Sequence, residues 1–145
     1  MNEAERIEIE AACYRLVTAY CHYVDHGDAA RIPELFTDDG VWIAGPTTMR
    51  GRAELERGFQ ARQDDVGRAS RHVCDNFLLH EVSADEARGA VYLTLYRHDG
   101  EPGRSLSPLP GPFLVGEYRD VFRRTESGWR IAERTLEIGF LRGED

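Results

Sequence analysis

The chain has 145 residues, a length that fits one domain and buries roughly two thirds of the surface that the unfolded chain would expose. Its composition, 41% hydrophobic and 30% charged, is that of a globular protein and excludes a disordered or fibrous one. The net charge is −8, and the 18 basic residues are scattered arginines with no lysine, which argues against nucleic acid and anionic membranes as partners and excludes Schiff-base chemistry.

The first predicted element is an α-helix from Glu3 to about Val24. Asp28 then follows as the cap of a short second helix that runs to Phe36, with Pro33 disturbing its middle. In the first helix, apolar side chains recur at steps of three and four residues, which predicts one buried face. That face comprises Ile9, Ala12, Cys13, Leu16, Tyr20 and Tyr23.

The middle of the chain predicts a turn at residues 38–40 (DDG), a brief strand at 41–45 (VWIAG), and a third helix from Gly51 to about Asp64. The apolar period then changes to two residues, which is typical of strands. Four strands are predicted: His72–Val82, Ala87–Arg97, Phe113–Arg124 and Trp129–Ile138. Helices that precede antiparallel strands predict a single α+β domain over residues 1–145, with the sheet curved round the first helix and an apolar pocket inside.

The three cysteines, Cys13, Cys21 and Cys74, match no zinc or disulfide spacing, which indicates a reducing compartment. The sequence shows neither a cationic leader with an apolar core nor a run of 18 apolar residues. We therefore expect a cytoplasmic protein with no membrane partner.

Five short motifs form a set that spans the chain. They are Tyr20-x4-Asp25-x2-Asp28, LFTDDGVW, Gly51-Arg52, RHxxxN at residues 71–76, and GEYRDVFRR with GWRIAER between residues 116 and 134. In this order they resemble the SnoaL-like branch of the NTF2-like superfamily. That resemblance implies a cone-shaped α+β barrel, in which N-terminal helices pack into a strongly curved antiparallel sheet. It is nearest to the dehydratase-like and dehydrochlorinase-like members.

The resemblance implies a catalytic pair, Asp25 and His72. In those members, an aspartate at the position of Asp25 orients a histidine at the position of His72, and the histidine takes a proton from the substrate. A carboxylate bound to one imidazole nitrogen fixes the tautomer and leaves the other nitrogen as a base. Without the resemblance, Asp25 could simply end the first helix and His72 could be an ordinary strand histidine. Tyr20 would polarise a carbonyl or assist the leaving group.

Other side chains are expected to contact the substrate. Asn76 shares the His72 face of its strand by alternation, and it would hold a substrate oxygen or satisfy a buried polar neighbour. Four aromatic residues are expected either to line the pocket or to pack in the core. They are Tyr23, Trp42, Phe59 and Tyr96.

The Phe113–Arg124 strand carries a mixture of aromatic and polar side chains on one face, which is unusual for a plain core. Tyr118, Asp120 and Arg124 share that face and are interpreted as substrate-binding. Arg124 resembles a substrate-facing arginine of the dehydrochlorinase-like members. Arg123 beside it leaves the register open, and a surface salt bridge is the alternative for either arginine.

We expect no metal and no organic cofactor, because His22 and His26, the pair with HxxxH spacing, lie where the first helix ends. The strand that carries the catalytic aspartate of ketosteroid-isomerase-like members reads VWIAGP here and has no acid, which disfavours that mechanism.

The predicted function is a cofactor-independent lyase of the dehydratase type, or an isomerase or cyclase, that acts on a small apolar carbonyl or hydroxyl substrate of polyketide or aromatic metabolism. Two alternatives stay open: a ligand-binding domain without turnover, and a non-catalytic subunit like the β-subunits of ring-hydroxylating dioxygenases. The resemblance also implies a homodimer that pairs through the outer face of the sheet.

Overall fold

The computed structural model describes residues 1–143, so the last two residues of the predicted 1–145 domain lie outside it. Two α-helices, α1 (Glu3–Asp25) and α2 (Gly51–Asp64), and a 3₁₀ helix (Ala29–Leu35) pack against a six-stranded, curved and unclosed sheet. The strands are β1 (Phe36–Ala44), β2 (Thr47–Arg50), β3 (Arg68–Val82), β4 (Glu86–Asp99), β5 (Leu114–Thr125) and β6 (Gly128–Leu141). The predicted α+β class is confirmed.

Helix α1 is delimited at both ends by local hydrogen bonds. Asn2 and Glu5 form a capping box in which each side chain accepts from the other residue's backbone N–H. At the other end, Gly27 takes a φ of 82°, and the Asp28 N–H donates to the Tyr23 carbonyl at 2.9 Å. This is a Schellman-type ending, which glycine permits because it lacks a Cβ. Asp25 is therefore the last residue of the helix, with its side chain directed at the sheet.

The strands follow the order β2-β1-β6-β5-β4-β3. Neighbouring strands are antiparallel, except that β1 and β6 run parallel. Strand β1 comes from the helical half of the chain and lies beside β6, the last strand of the β3–β6 meander. Helix α1 packs against β3 and β6, and α2 packs against β1. The concave face of the sheet thereby buries one continuous core between the strands and the helices.

One local prediction in the helical half was wrong. Residues 38–40 were predicted as a turn, yet they extend within β1, where the pairing with β6 is irregular between Phe36 and Val41. A Cβ on Gly40 would lie 2.9 Å from the Thr37 carbonyl oxygen, so this glycine allows a close backbone approach.

Asp28 occupies the N-cap position of the 3₁₀ helix, as predicted, but its side chain makes no capping hydrogen bond. Pro33 lies inside this helix, also as predicted.

In the described part of the chain, no helix is long and apolar enough to cross a membrane. Several apolar side chains on the sheet are exposed to solvent, namely Val73, Tyr92, Ile138 and Phe140. The homodimer through the outer face of the sheet stays a prediction.

Candidate active site

Asp25 and His72, which we call the dyad, meet where the C-terminus of α1 contacts β3. The distance from His72 Nδ1 to Asp25 Oδ1 is 2.7 Å, and the His72 backbone N–H donates to Asp25 Oδ2 at 2.8 Å. Only 11% of the His72 side chain and 6% of the Asp25 side chain are exposed. Because an ionised carboxylate only accepts hydrogen bonds, Nδ1 carries a proton, and in the neutral imidazole Nε2 is then the nitrogen that can act as a base. Nothing among residues 1–143 hydrogen-bonds to Nε2.

A second layer of side chains holds the Asp25 carboxylate. Ser70 Oγ donates to Asp25 Oδ1 at 2.8 Å, and Arg62 Nη2 of α2 donates to Ser70 Oγ at 3.2 Å. Asp25 therefore accepts three hydrogen bonds, all from β3. Sequence reasoning missed Ser70, although its position two residues before His72 places it on the same face of the strand. No pattern in the sequence indicated that Arg62 would contact Ser70.

These contacts decide the charge of Asp25. Burial raises the pKa of this carboxyl, but the His72 side chain, the His72 backbone N–H and the Ser70 hydroxyl together lower the pKa further, so that it lies below its ordinary value. Asp25 is consequently ionised at neutral pH and can stabilise an imidazolium at His72.

Tyr20 lies one and a half turns before the end of α1, in an aromatic layer next to the dyad. Its ring packs edge-on against His72, Phe59 and Tyr118, with centroid distances of 6.3, 6.0 and 5.8 Å. Trp42 Nε1 donates to Tyr20 Oη at 3.1 Å. Burial raises the pKa of Tyr20, so its hydroxyl is a neutral donor.

An ion pair lies in the core beside this layer. Arg134 Nε and Nη2 donate to the two oxygens of Asp120 at 2.8 and 2.9 Å, and neither side chain is exposed at all. The guanidinium carbon is 4.4 Å from the Tyr20 ring centroid and 3.9 Å from that of Tyr118. Burial lowers the pKa of Arg134, but the Asp120 charge and hydrogen bonds raise it above its ordinary value, so the guanidinium stays charged.

One donor of this buried guanidinium is unsatisfied. Arg134 Nη1 has no acceptor among the described residues. A buried donor without a partner costs about 1–3 kcal/mol, which makes the position suited to an oxygen atom of a bound molecule. Sequence reasoning missed Arg134 as a site residue.

The interpretation of Arg124 as substrate-facing was wrong. Arg124 is exposed near the end of β5, with its guanidinium carbon 5.9 Å from the Trp129 ring centroid, and Arg123 forms a surface pair with Asp39 at 3.3 Å. Neither arginine points into the core, because the alternation of buried and exposed residues in β5 ends at Phe122. Tyr118 and Asp120 are buried as expected, although Asp120 is held by Arg134.

Asn76 also lies elsewhere than expected. Its side chain is exposed and its φ is 56°, at an irregularity in the pairing of β3 with β4 between Asp75 and Leu78. Such a bulge interrupts the alternation that was used to place Asn76 on the His72 face. Tyr23 packs against the core, the second of its two expected positions, and its ring centroid lies 4.4 Å from the Arg31 guanidinium carbon.

An open cavity of about 590 Å³ lies between strands β3 and β4 and the proline-rich loop of residues 100–113 that joins β4 to β5. Asp25, Ser70 and Tyr96 are among its lining residues, so it reaches the carboxylate side of the dyad. The sequence predicted an apolar pocket, yet four arginines line this cavity: Arg68, Arg71, Arg97 and Arg104.

These arginines differ in their partners. Arg68 pairs with Asp99 at 2.8 Å, whereas Arg104 donates to backbone carbonyls, including those of Gly67 and His98, and thereby holds the loop. Arg71 donates to the Ser70 carbonyl at 2.7 Å and pairs with no carboxylate in the described part of the chain. Within the same part, no group of three or more His, Cys, Asp or Glu side chains is arranged to hold a metal.

The family model of the SnoaL-like domain matches residues 5–135, which extend from α1 into β6. The chain belongs to the SnoaL-like family. No curated protein matches it in sequence.

Solved structures with the same fold come from several proteins. Rv3472 of Mycobacterium tuberculosis, a protein of unknown function, is 26% identical with a TM-score of 0.76, over 95% of this chain and 76% of that one. A candidate scytalone dehydratase of Novosphingobium aromaticivorans is 17% identical with a TM-score of 0.82, over 99% and 93% of the two chains. The β-subunit of a candidate aromatic-ring-hydroxylating dioxygenase of the same organism is 17% identical with a TM-score of 0.77, over 96% and 94%. At 17% identity, the similarities to the candidate scytalone dehydratase and to the dioxygenase β-subunit show only that the fold is shared.

Proposed function

We propose that the protein is a cofactor-independent lyase of the dehydratase type, or an isomerase, in which His72 abstracts a carbon-bound proton from a small carbonyl or hydroxyl substrate. The observation that carries this proposal is the 2.7 Å contact between His72 Nδ1 and the shielded, ionised Asp25. In the neutral imidazole it leaves Nε2 as the basic nitrogen, and no residue from 1 to 143 hydrogen-bonds to that nitrogen.

The reaction begins with the base. The C–H bond next to a carbonyl breaks, the proton passes to His72 Nε2, and the electron pair forms an enolate. Asp25 stabilises the imidazolium through its ionised carboxylate. General-base catalysis by a positioned side chain contributes about 10²–10⁴-fold.

Completion of the reaction differs between the two classes. In a dehydratase, the enolate electrons form a C=C bond, and the β-hydroxyl leaves as water with the proton from the imidazolium. In an isomerase, the imidazolium returns the proton to another carbon. Tyr20 donates a hydrogen bond to the developing oxyanion. Arg134 stabilises this oxyanion through its charge and through Nη1, which has no acceptor among residues 1–143, so that Arg134 replaces Arg124 as the substrate-facing arginine.

The cavity supports a substrate with an apolar body and an acidic or enolic oxygen. Tyr96, Leu106 and Leu109 supply apolar surface, and Arg71 supplies a positive charge that no carboxylate of the described residues neutralises. A planar guanidinium suits the recognition of such an oxygen.

Ligand binding without turnover is the second candidate. The small exposed fraction of the His72 side chain, 11%, favours it, because access to Nε2 is restricted. The two candidates differ in whether the protein exchanges a substrate proton.

The test is deuterium incorporation into candidate hydroxy-carbonyl compounds in D₂O, followed by mass spectrometry, with loss of water measured in parallel. We expect the wild type to catalyse exchange and both His72→Gln and Asp25→Asn to reduce it by about 10²–10⁴-fold. His80→Gln is the matched control, because His80 is an exposed histidine on the same strand. Equal exchange rates in the wild type and His72→Gln would overturn the proposed mechanism. A compound that is bound but never exchanged would favour the second candidate.

A further inference from the structure

Two cysteines lie beside the dyad and take no part in the proposed reaction. Cys21 Sγ of α1 and Cys74 Sγ of β3 are 3.5 Å apart. Cys21 precedes Asp25 by four residues, about one helical turn, and Cys74 follows His72 by two residues on the same strand face. The two thiols therefore join the same two elements that the dyad joins.

We propose that Cys21 and Cys74 form an oxidisable pair that closes into an intramolecular disulfide on reaction with a peroxide, covalently linking α1 to β3. The link is a modification site next to the dyad. Its formation does not depend on the proposed function, whereas its effect on turnover does.

The two thiols act as a pair because they contact each other. Cys21 Sγ donates a hydrogen bond to Cys74 Sγ at 3.5 Å. Burial raises the pKa of either thiol, whereas the positive charge of buried Arg134 lowers it. Because the thiolate is the nucleophile, the sulfur that ionises attacks the peroxide and the other one resolves the product.

The reaction balances with hydrogen peroxide as the oxidant. The thiolate of one cysteine attacks a peroxide oxygen, the O–O bond breaks, and that cysteine becomes a sulfenic acid while hydroxide leaves and takes up a proton as water. The thiol of the other cysteine then attacks the oxidised sulfur, the S–S bond forms, and the sulfenic oxygen leaves with the thiol proton as a second water. Two thiols lose two electrons, and one peroxide gains them.

The geometry brings the sulfurs near to bonding distance. A disulfide bond is about 2.05 Å long, so the sulfurs must approach each other by roughly 1.5 Å. The β3 irregularity between Asp75 and Leu78 begins one residue after Cys74, and Asn76 takes a positive φ within it. Bulged strands deviate from regular pairing, so β3 has a site next to Cys74 at which such a shift can be absorbed.

Cys13 provides an internal comparison. It lies on the same buried face of α1, it is fully buried, and no hydrogen bond to either of the other two thiols is present in the described part of the chain. Burial, with a smaller effect from the Asp120 charge, raises the pKa of Cys13 to about 12. Cys13 should therefore stay reduced under conditions that oxidise the pair.

The covalent step is tested on the full chain with hydrogen peroxide. After treatment, free thiols are alkylated with iodoacetamide in denaturant, and non-reducing peptide mapping identifies any linked peptides. We expect a Cys21–Cys74 link, with Cys13 alkylated and the link removed by dithiothreitol. Cys13→Ser should still form the link, whereas Cys21→Ser and Cys74→Ser should not. Sulfinic acid at Cys21 or Cys74 without a link, links only between molecules, or a link that includes Cys13 would each overturn the proposal, and the wild-type map decides this even if a variant fails to fold.

A second measurement separates this proposal from the proposed function. Deuterium exchange by the oxidised protein should fall by about 10²-fold and recover with dithiothreitol, since a displacement of about 1 Å at a catalytic group can cost that much. Formation of the link without exchange activity in either redox state would refute the proposed function alone. Exchange activity in a protein that never forms the link would refute the disulfide alone.

Discussion

Two carboxylates of this molecule bind basic side chains with similar geometry but in different surroundings. Asp25 holds His72 at 2.7 Å where a cavity reaches the end of α1, and Asp120 holds Arg134 at 2.8 Å inside the core. His72 uses one ring nitrogen, and the second has no hydrogen-bond partner within the described part of the chain. Arg134 uses two donors in a bidentate contact and keeps its proton at any physiological pH.

The difference shows how contacts between a carboxylate and a basic side chain can serve two purposes. A titratable partner with limited access to solvent can exchange a proton, so the Asp25 pair is suited to proton transfer. A permanently charged and fully buried partner cannot exchange one, so the Asp120 pair fixes the positions of Tyr20 and Tyr118 and supplies a constant positive charge. We infer that the two pairs divide the work of one site: proton transfer at the cavity and charge stabilisation in the core.

The largest effect on stability is expected from breaking the core pair. Asp120→Ala leaves the Arg134 charge buried without a counter-ion, and such a change typically costs about 3–5 kcal/mol of unfolding free energy. Urea unfolding monitored by circular dichroism measures it. The matched control is Asp120→Leu combined with Arg134→Met, which removes both charges and should recover most of the loss. A loss below about 1 kcal/mol in Asp120→Ala would contradict the assignment of Arg134 as charged and fully desolvated.

A smaller and pH-dependent effect is expected at the dyad. At neutral pH, Asp25→Asn should lower the unfolding free energy by about 1.5–3 kcal/mol, because hydrogen bonds to a charged group are lost. The pKa of Asp25 is lower in the folded state than in the unfolded chain, where it is about 3.9, so the stability that this carboxylate contributes is present above that pH. This contribution to stability is lost as the pH falls through the pKa that Asp25 has in the folded protein.

The gap between the wild type and Asp25→Asn should therefore close in acid. Urea unfolding of both proteins at pH 7 and at several values below 4 measures this gap. Asp39 and Asp99, whose pKa values are also lowered, are present in both proteins, so their contributions cancel in the difference. A gap that is constant with pH would mean that Asp25 is not ionised in the folded protein.

The fold was predictable because its signals are local and repeated. The helical period up to about Val24 and the period of two from His72 onward gave the order of the elements, and the strands β3 to β6 were each found within four residues at either end. The Asp25–His72 contact was predictable only through the resemblance to a family. Hydrophobic periodicity alone does not predict that the C-terminal end of α1 contacts β3.

The errors at Asn76 and Arg124 have different physical causes. Alternation assigns faces correctly only while pairing is regular, and the extra residue of β3 between Asp75 and Leu78 exchanges the two faces at Asn76. Strand β5 has no extra residue at its shift between Val121 and Phe122, because that residue lies in β6, and Arg124 is exposed because the buried part of β5 ends at Phe122. Continuing the register from the Thr125–Gly128 pair would place Asp120 opposite Glu133. The shift between Val121 and Phe122 places it opposite Arg134 instead. An acid opposite an acid at a buried position would have been a signal for such a shift, since like charges directly opposite each other are destabilising.

The smallest effect is expected at Arg124, and it tests this correction directly. Arg124→Ala should change the unfolding free energy by less than about 0.5 kcal/mol, because the side chain is exposed and its contact with Trp129 is long. Deuterium exchange should stay at the wild-type rate. Arg134→Met, by contrast, should slow exchange, because Nη1 and the positive charge are lost beside Tyr20. If Arg124→Ala slowed exchange and Arg134→Met did not, the arginine that serves the site would lie at the surface end of β5, and the core pair would have a structural role alone.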